Sequence, residues 1–394
     1  MRVTHVITRL IVGGAQENTI ATVLGLQAYP DLQVDLLSGP TLGPEGSLHT
    51  TFARKPSLLK IIPDLVRPVR PFQDWRALEN LTKNFQETKP DIVHTHSGKA
   101  GILGRIAAKR ANVPIIVHTI HGPSFGSFQG RLANLVFRSA EKYAARFTTH
   151  FISVADAMTA QYLNAGIGSP EKYTRIFSGF PLAPFLSGTN DFKLREELGI
   201  RPDDFVIGKI ARLFELKGHD DLLEVASELV RKFPRVKFLL IGDGPWRQRL
   251  ESRAESFGVR QNFVFTGLIP PDQIPRFLGI MNALVHLSRR EGLPRALSQA
   301  LAAGKPVVAY DCDGAKEVCL PDETGFLIPV GDKKMLLEKF GCLISDPALC
   351  QRMGATGRAL VEKKFSIEQM VENIYALYKK LEAQREKSNA RAAL

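Results

Sequence analysis

Apolar positions in this chain follow two periods. Segments 2–8 ("RVTHVIT") and 113–120 ("VPIIVHTI") are short, β-branched and almost continuously apolar, the pattern of a parallel strand buried on both faces. Segments 91–96 and 151–155 read the same way. Between them, stretches such as 99–111 ("KAGILGRIAAKRA") space their apolar residues at helical intervals, and further helices follow the glycine turn at 13–14 and begin at Asp156. The series then restarts, with strands at 205–211, 236–244, 262–265, 282–286 and 305–310 and helices at 217–233, 246–257, 271–279 and 294–303. Strands that alternate with helices imply right-handed crossovers and parallel sheets. The pattern predicts an α/β chain of two Rossmann-like, doubly wound domains facing a central cleft, spanning 1–185 and 205–365. A linker is expected at 186–204, because "PLAPFLSGTN" (181–190) concentrates chain breakers. The stretch 366–387 predicts a long amphipathic helix that packs back toward the first domain, followed by a frayed tail, "SNARAAL".

Composition narrows the function classes. The 394 residues are 44% hydrophobic and 23% charged, ordinary for a globular protein. No run reaches the roughly 18 apolar residues of a membrane-spanning helix, and the N-terminus lacks the layout of a signal peptide. A cytoplasmic protein is expected. The four cysteines, Cys312, Cys319, Cys342 and Cys350, lack C-x-x-C spacing and read as reduced thiols. The net charge of +12 is uneven: residues 1–190 hold 20 Lys and Arg against 12 Asp and Glu. Such an excess fits an anionic substrate or an anionic membrane surface. No aromatic-interleaved motif accompanies it, so no nucleic-acid partner is expected.

The segment "EGLPRALSQALAAGKPVVAYD" (291–311) carries the most chemistry. Glu291 precedes a glycine and the start of a helix. The amides of Gly292, Leu293 and Arg295 lie at that start, where unsatisfied N–H groups and the helix dipole favour a diphosphate. Glu291 would be repelled by such an anion and is better suited to sugar hydroxyls. Gln299 lies eight residues on, near the same face. In "ARLFELKG" (211–218), Arg212 at a strand end and Lys217 before a helix place two cations where open α/β sheets bind ligands, and they suit a diphosphate.

Two histidine pairs occur in "HTHSGKAG" (94–101) and "HTIHGPSFG" (118–126). No carboxylate or thiol completes a ligand set around them, so no metal is expected. His94 and His118 fall inside strands and read as buried and satisfied. His121 follows its strand and points toward the cleft. Ser97 and Lys99 are candidates for phosphate or acceptor. Gly13 and Gly14 in "VGGAQ" allow close backbone approach to a ligand at a strand-to-helix turn. Two basic segments, 56–75 and 125–147, mix Lys and Arg with aromatic and aliphatic residues and could lie on anionic lipid.

From "VGGAQ" to "GFLIPVGD" (325–332) the chain resembles the family-4 retaining glycosyltransferases of the GT-B fold. The resemblance implies transfer of a hexose from a nucleotide diphosphate sugar, most commonly a UDP-sugar, to a glycan or lipid-linked acceptor, with retention at the anomeric carbon. It implies no cofactor beyond that donor. It sets His121 and Glu291 against the transferred sugar as catalytic residues and gives the diphosphate to Arg212, Lys217 and the 292–295 backbone, with Gly13 and Gly14 nearby. It places Gly267 and Leu268 ("TGLIP") near the base. The family carries two glutamates in the 291–299 segment. Here the second is Gln299, at the position that holds the ribose hydroxyls. Lipid-linked acceptors in the family favour peripheral association with the inner face of the membrane. Two other readings share these residues: a nucleotide-sugar epimerase of the same fold, and an inactive binding protein for which Gln299 would be the warning.

Overall fold

The computed structural model describes residues 1–41, 46–126 and 129–392, with side chains to residue 390. Ser127 and Phe128 of the second basic segment, and the last two residues of the tail, lie outside the described residues. The chain divides into two compact units, Met1–Phe180 with Ile367–Leu394, and Pro181–Ser366.

The first unit runs β1 (Arg2–Ile7), α1 (Gly14–Leu26), β2 (Gln33–Ser38), β3 (Leu59–Ile61), α2 (Pro71–Thr88), β4 (Ile92–His96), α3 (Gly98–Arg110), β5 (Ile115–Ile120), α4 (Arg131–Ala145), β6 (His150–Ser153), α5 (Asp156–Asn164) and β7 (Tyr173–Arg175). Its seven strands are parallel in the order β3-β2-β1-β4-β5-β6-β7. The direction of winding therefore reverses between β1 and β4. Because both faces are covered, even the polar residues of the central strands are buried: His5, His94 and Thr95 are fully inaccessible.

The second unit runs α6 (Ala183–Leu186), α7 (Phe192–Glu197), β8 (Phe205–Ile210), α8 (His219–Lys232), β9 (Val236–Ile241), α9 (Arg247–Ser256), β10 (Phe263–Gly267), α10 (Ile274–Gly279), β11 (Ala283–His286), α11 (Arg295–Ala302), β12 (Val307–Tyr310), β13 (Gly325–Ile328), α12 (Lys333–Ser345) and α13 (Pro347–Lys364). Its six strands are parallel in the order β10-β9-β8-β11-β12-β13. The switch falls between β8 and β11, and ligands of such sheets bind beyond the strand ends at that point.

The expected linker at 186–204 is not a free connector. Asp191 caps α7 by accepting from Leu194 N at 2.9 Å, and the buried Arg195 donates to Ile280 O at 3.0 Å and Asp204 O at 2.7 Å. Pro, Gly and Ser break the chain here without detaching it, and the whole stretch folds onto the second unit.

The C-terminal segment forms α14 (Ile367–Ala392), which extends beyond the predicted fray. Met370, Ile374, Leu377, Tyr378 and Leu381 recur at helical spacing and enter the core built on β1, β2 and α1. Each such buried side chain stabilises by about 1.5–3 kcal/mol relative to exposure.

Candidate active site

In the second unit the site grows from the ends of the two strands that flank the switch point. After β8 the chain turns through Ala211–Phe214, held by Ala211 N to Ile241 O and Leu213 N to Asp243 O, each 3.0 Å. Arg212 lies two residues past the strand. Its guanidinium stacks on Phe214 at 4.9 Å from the ring centroid, and the Lys217 ammonium sits 6.0 Å from the same centroid. Gly218 then takes a left-handed φ of 61° so that α8 can begin. A Cβ there would meet Leu287 O at 2.2 Å, so only glycine allows this turn to rest on the end of β11.

Glu291 follows β11 and meets Lys217 in a direct ion pair through Oε1. Lys217 also donates to Ser288 Oγ at 3.2 Å, and His286 Nε2 lies 3.3 Å from the same Glu291 oxygen. Oε2 of Glu291 has no partner among the described residues. The Glu291 amide donates to Asp313 Oδ2 at 2.7 Å, and Gly314 N donates to Gly292 O at 3.1 Å, so the loop after β12 braces the segment. Burial alone would raise the Glu291 pKa. The Lys217 ammonium and His286 override it and hold the carboxyl well below the usual range. Behind it, Lys209 is buried in β8; burial, with repulsion from Lys217, pushes its ammonium down to about 7.

Pro294 is the N-cap of α11 and not its first helical residue, and no side chain caps that end. The first turn of α11 is closed by Leu297 N donating to Pro294 O at 3.1 Å, and the positive end of the helix dipole faces the Glu291 segment. Gly292 is buried, while Leu293 and Arg295 are half-buried. Gln299 lies one turn into α11 and is partly exposed. It is one turn from Arg295, and not two turns of continuous helix from Glu291, because α11 starts four residues after Glu291. Gly267 ends β10 with φ 75° and accepts from Gly242 N at 2.9 Å; Leu268 after it is 62% exposed. Thus Arg212, Lys217, Glu291 and the start of α11 occupy one end of the sheet.

The first unit repeats the arrangement. Gly13, extended at φ 170°, caps α1 after β1, and a Cβ on Gly14 would meet nothing within 4 Å. Ser97 caps α3 after β4 with a positive φ of 67°, an unusual conformation for a residue other than glycine. A Cβ on Gly98 would meet Ser124 at 3.0 Å, so the turns after β4 and β5 are in contact. Lys99 does not stand ready for an incoming anion. Its ammonium is engaged by the Asp74 carboxylate and by Pro68 O. His121 follows β5, and its Nε2 meets His96 Nδ1 at 3.0 Å. Burial pushes its pKa down to about 4, so the ring is neutral near pH 7.

The ring nitrogens of His5, His94 and His96 lie within 4.8 Å of one another, a spacing a metal ion could use. Each of these nitrogens already faces a protein partner. His286, Asp313, Lys209 and this buried cluster were not anticipated. The available signals were a histidine closing the apolar strand 282–286 and a lysine inside 205–211, each out of place in a buried strand.

Residues 12–183 match the family described as Glycosyltransferase Family 4, and residues 190–360 match Glycosyl transferases group 1. The chain is 29% identical over 321 residues to the Escherichia coli UDP-Gal:alpha-D-GlcNAc-diphosphoundecaprenol alpha-1,3-galactosyltransferase, covering 80% of this chain and 82% of that one. It is 29% identical over 323 residues to the Staphylococcus aureus capsular polysaccharide biosynthesis glycosyltransferase CapM, covering 81% and 84%. The Anabaena protein HepE, crystallised with UDP-glucose, superposes with a TM-score of 0.80 at 22% identity over 96% of this chain and all of that one. Sucrose-phosphate synthase from Thermosynechococcus elongatus gives 0.79 at 19% over 98% of this chain and all of that one. These likenesses establish the GT-B fold.

Proposed function

The chain belongs to glycosyltransferase family 4, and from that premise we propose that it moves a hexose from a UDP-sugar to a lipid-linked saccharide with retention of configuration. The coarser activity, transfer of a nucleotide-linked sugar to a glycan or lipid-linked acceptor, follows from the family. The finer reading is supported by the named donor and acceptor of the Escherichia coli relative and by the UDP-glucose bound to HepE. The observation that carries it is the meeting of Lys217 with Glu291 beside the uncapped start of α11.

In this reading the diphosphate rests on Arg212, Lys217 and the amides of Gly292, Leu293 and Arg295, and Gly13 and Gly14 are the backbone positions of the first unit assigned to the same ligand. Gln299 accepts from the ribose hydroxyls, and the turn at Gly267 and Leu268 takes the base. Glu291 Oε2 accepts from hydroxyls of the sugar, and neutral His121 donates to another. The bond from C1 to the β-phosphate oxygen breaks as the acceptor oxygen attacks C1 from the same face. The acceptor proton passes to the departing phosphate oxygen. Cations and helix amides already aimed at the leaving diphosphate lower the barrier without reorganising. Ser97 lies at the acceptor side, and Lys99 contributes by ordering that turn through Asp74.

The lipid-linked acceptor fits an exposed face of the first unit. On α4, Leu132, Leu135, Val136 and Tyr143 are 76%, 61%, 57% and 52% exposed, beside Arg131, Lys142 and Arg146. On α2, Phe72 and Trp75 are likewise exposed. Apolar side chains ringed by cations suit an anionic lipid surface, so the protein docks peripherally at the cytoplasmic leaflet. No helix among the described residues is long and apolar enough to cross a membrane.

The test supplies UDP-glucose, UDP-galactose, UDP-GlcNAc or GDP-mannose, with and without a short polyprenyl-diphosphate GlcNAc acceptor. The reading expects an acceptor-dependent product of retained configuration from a UDP-sugar. Epimerised donor formed without acceptor, or donor binding with no product, would overturn it.

A further inference from the structure

The interior of the first unit holds a continuous chain of hydrogen bonds that ends at His121. His94 Nε2 meets Thr119 Oγ1 at 2.6 Å, and His94 Nδ1 meets the Tyr378 hydroxyl at 2.5 Å. That hydroxyl lies 3.4 Å from His5 Nε2, His5 Nδ1 lies 2.9 Å from His96 Nε2, and His96 Nδ1 lies 3.0 Å from His121 Nε2. Sheet register assembles it. His5 is paired with His94, and His96 with Thr119, so these four side chains share one face. α14 covers that face and inserts the fully buried Tyr378 between the first two imidazoles.

Burial pushes His5 down to about 3 and His94 and His96 well below the ordinary histidine value, so these rings, like His121, are neutral near pH 7. A neutral imidazole has one N–H and one lone pair. Where both nitrogens face partners, one donates and the other accepts, and the choice at one ring dictates the next. If Thr119 donates into His94 Nε2, then His94 donates from Nδ1 to Tyr378, and Tyr378 donates to His5 Nε2. His5 and His96 follow, each donating from Nδ1, and His121 accepts at Nε2. All four histidines then carry the proton on Nδ1. If the order reverses, all four carry it on Nε2. A mixed set either places two protons or two lone pairs face to face or makes Tyr378 accept from both His94 and His5 and leaves its own buried hydroxyl proton unpaired, and a dry interior penalises each.

We propose that Thr119, His94, Tyr378, His5 and His96 are positioning residues that lock His121 as the Nδ1–H tautomer, so that its outward nitrogen donates to the sugar. This deepens the reading of His121 given above and rests on it. Nδ1 of His121 has no partner among the described residues, whereas its Nε2 is taken by His96. A metal ion shared by His5, His94 and His96 would need a lone pair from each at one point, and would break the His5–His96 contact.

The test is heteronuclear NMR of the full chain labelled at histidine, reading the ring nitrogen shifts at pH 7. The expected result is Nδ1–H at His5, His94, His96 and His121 alike. Tyr378→Phe should turn His121 into a mixture of tautomers and lower kcat about tenfold with KM for the donor nearly unchanged, the scale of losing a partner that orients a functional imidazole. Mixed tautomers in the wild type, uniform Nε2–H, or stoichiometric zinc with all three rings bound to it would each overturn the proposal. The wild-type spectrum decides even if Tyr378→Phe does not fold. Uniform Nδ1–H in a chain that transfers no sugar would leave the relay standing and defeat only the functional reading.

Discussion

The ammonium of Lys217 rests on Oε1 of Glu291, across 74 residues of sequence, where His286 also reaches, and Oε2 is left open among the described residues. This contact joins the turn after β8 to the turn after β11, the two strands that meet at the switch point of the second sheet. It sets a full negative charge beside the cations assigned to the diphosphate. That is tolerable only if the carboxylate serves the sugar and not the phosphate.

The charge and shape of Glu291 should therefore separate. Glu291→Gln keeps the volume but gives up an ionised acceptor. Turnover should fall at least about a hundredfold, the scale of losing one preorganised polar contact in a transition state. UDP alone, which carries no sugar, should bind as well as before or more tightly, because Lys217 is released. Steady-state rates and calorimetric UDP titration check both halves; wild-type turnover would remove Glu291 from the mechanism.

Gln299 offers a neutral acceptor where the family places a carboxylate. Gln299→Ala should cost about 1 kcal/mol of UDP affinity, roughly fivefold, the net worth of one hydrogen bond. Gln299→Glu should bind UDP at least as well as the wild type. Calorimetry on the three proteins settles it, and an unchanged dissociation constant in the alanine variant would place the ribose elsewhere.

Acid should weaken the first unit. Five of its histidines, His5, His94, His96, His118 and His121, have pKa values pushed down by burial, His5 to about 3 and His121 to about 4. Unfolded, each would titrate near 6.5. Between about pH 6.5 and pH 4 the unfolded chain binds protons that the native chain refuses, so stability rises with pH across that window. Glu291 has the opposite character. Its value is depressed, so its contribution persists throughout this range and is lost only in stronger acid. Calorimetry should show Tm falling from pH 7 to pH 5, with about six or more protons taken up on unfolding near pH 5, since His150 and His219 are pushed down as well, to about 4 and about 3. A flat Tm would contradict it.

The α4 face should govern lipid binding. Leu135→Glu and Leu132→Glu each put a charge on an exposed position, so folding should be untouched while sedimentation with vesicles containing phosphatidylglycerol falls several-fold. Binding of the wild type should weaken with salt, since part of the attraction is between surface charges. Equal binding to neutral vesicles, or no effect of either substitution, would reassign that face.

Much of the architecture could be read from periodicity, because the central strands are apolar on both faces and the helices between them are amphipathic. The edges could not. β3 is three residues, two of them exposed, and β13 is only "GFLI", too short to establish a period. Arg212, Lys217 and Glu291 were readable because each follows a recognisable strand. Lys99 was read as open to a ligand because Asp74, 25 residues away on α2, carries no local sign that it will reach back. The partnership of Tyr378 with His94 spans 284 residues and depends on strand register and on where α14 docks, neither of which composition encodes. The stretch 186–204 misled for a related reason: turn residues mark a bend, whereas its attachment comes from Arg195 reaching backbone carbonyls as far away as Ile280.

The most direct test of the account is calorimetric titration of UDP into the wild type and into Lys217→Ala, with circular dichroism confirming the fold of both. Removing a cation from a half-buried diphosphate site should weaken UDP at least about tenfold, a loss of 1.4 kcal/mol or more. Equal affinity in the two proteins would mean that the diphosphate does not rest on Lys217, and the donor site described here would be wrong.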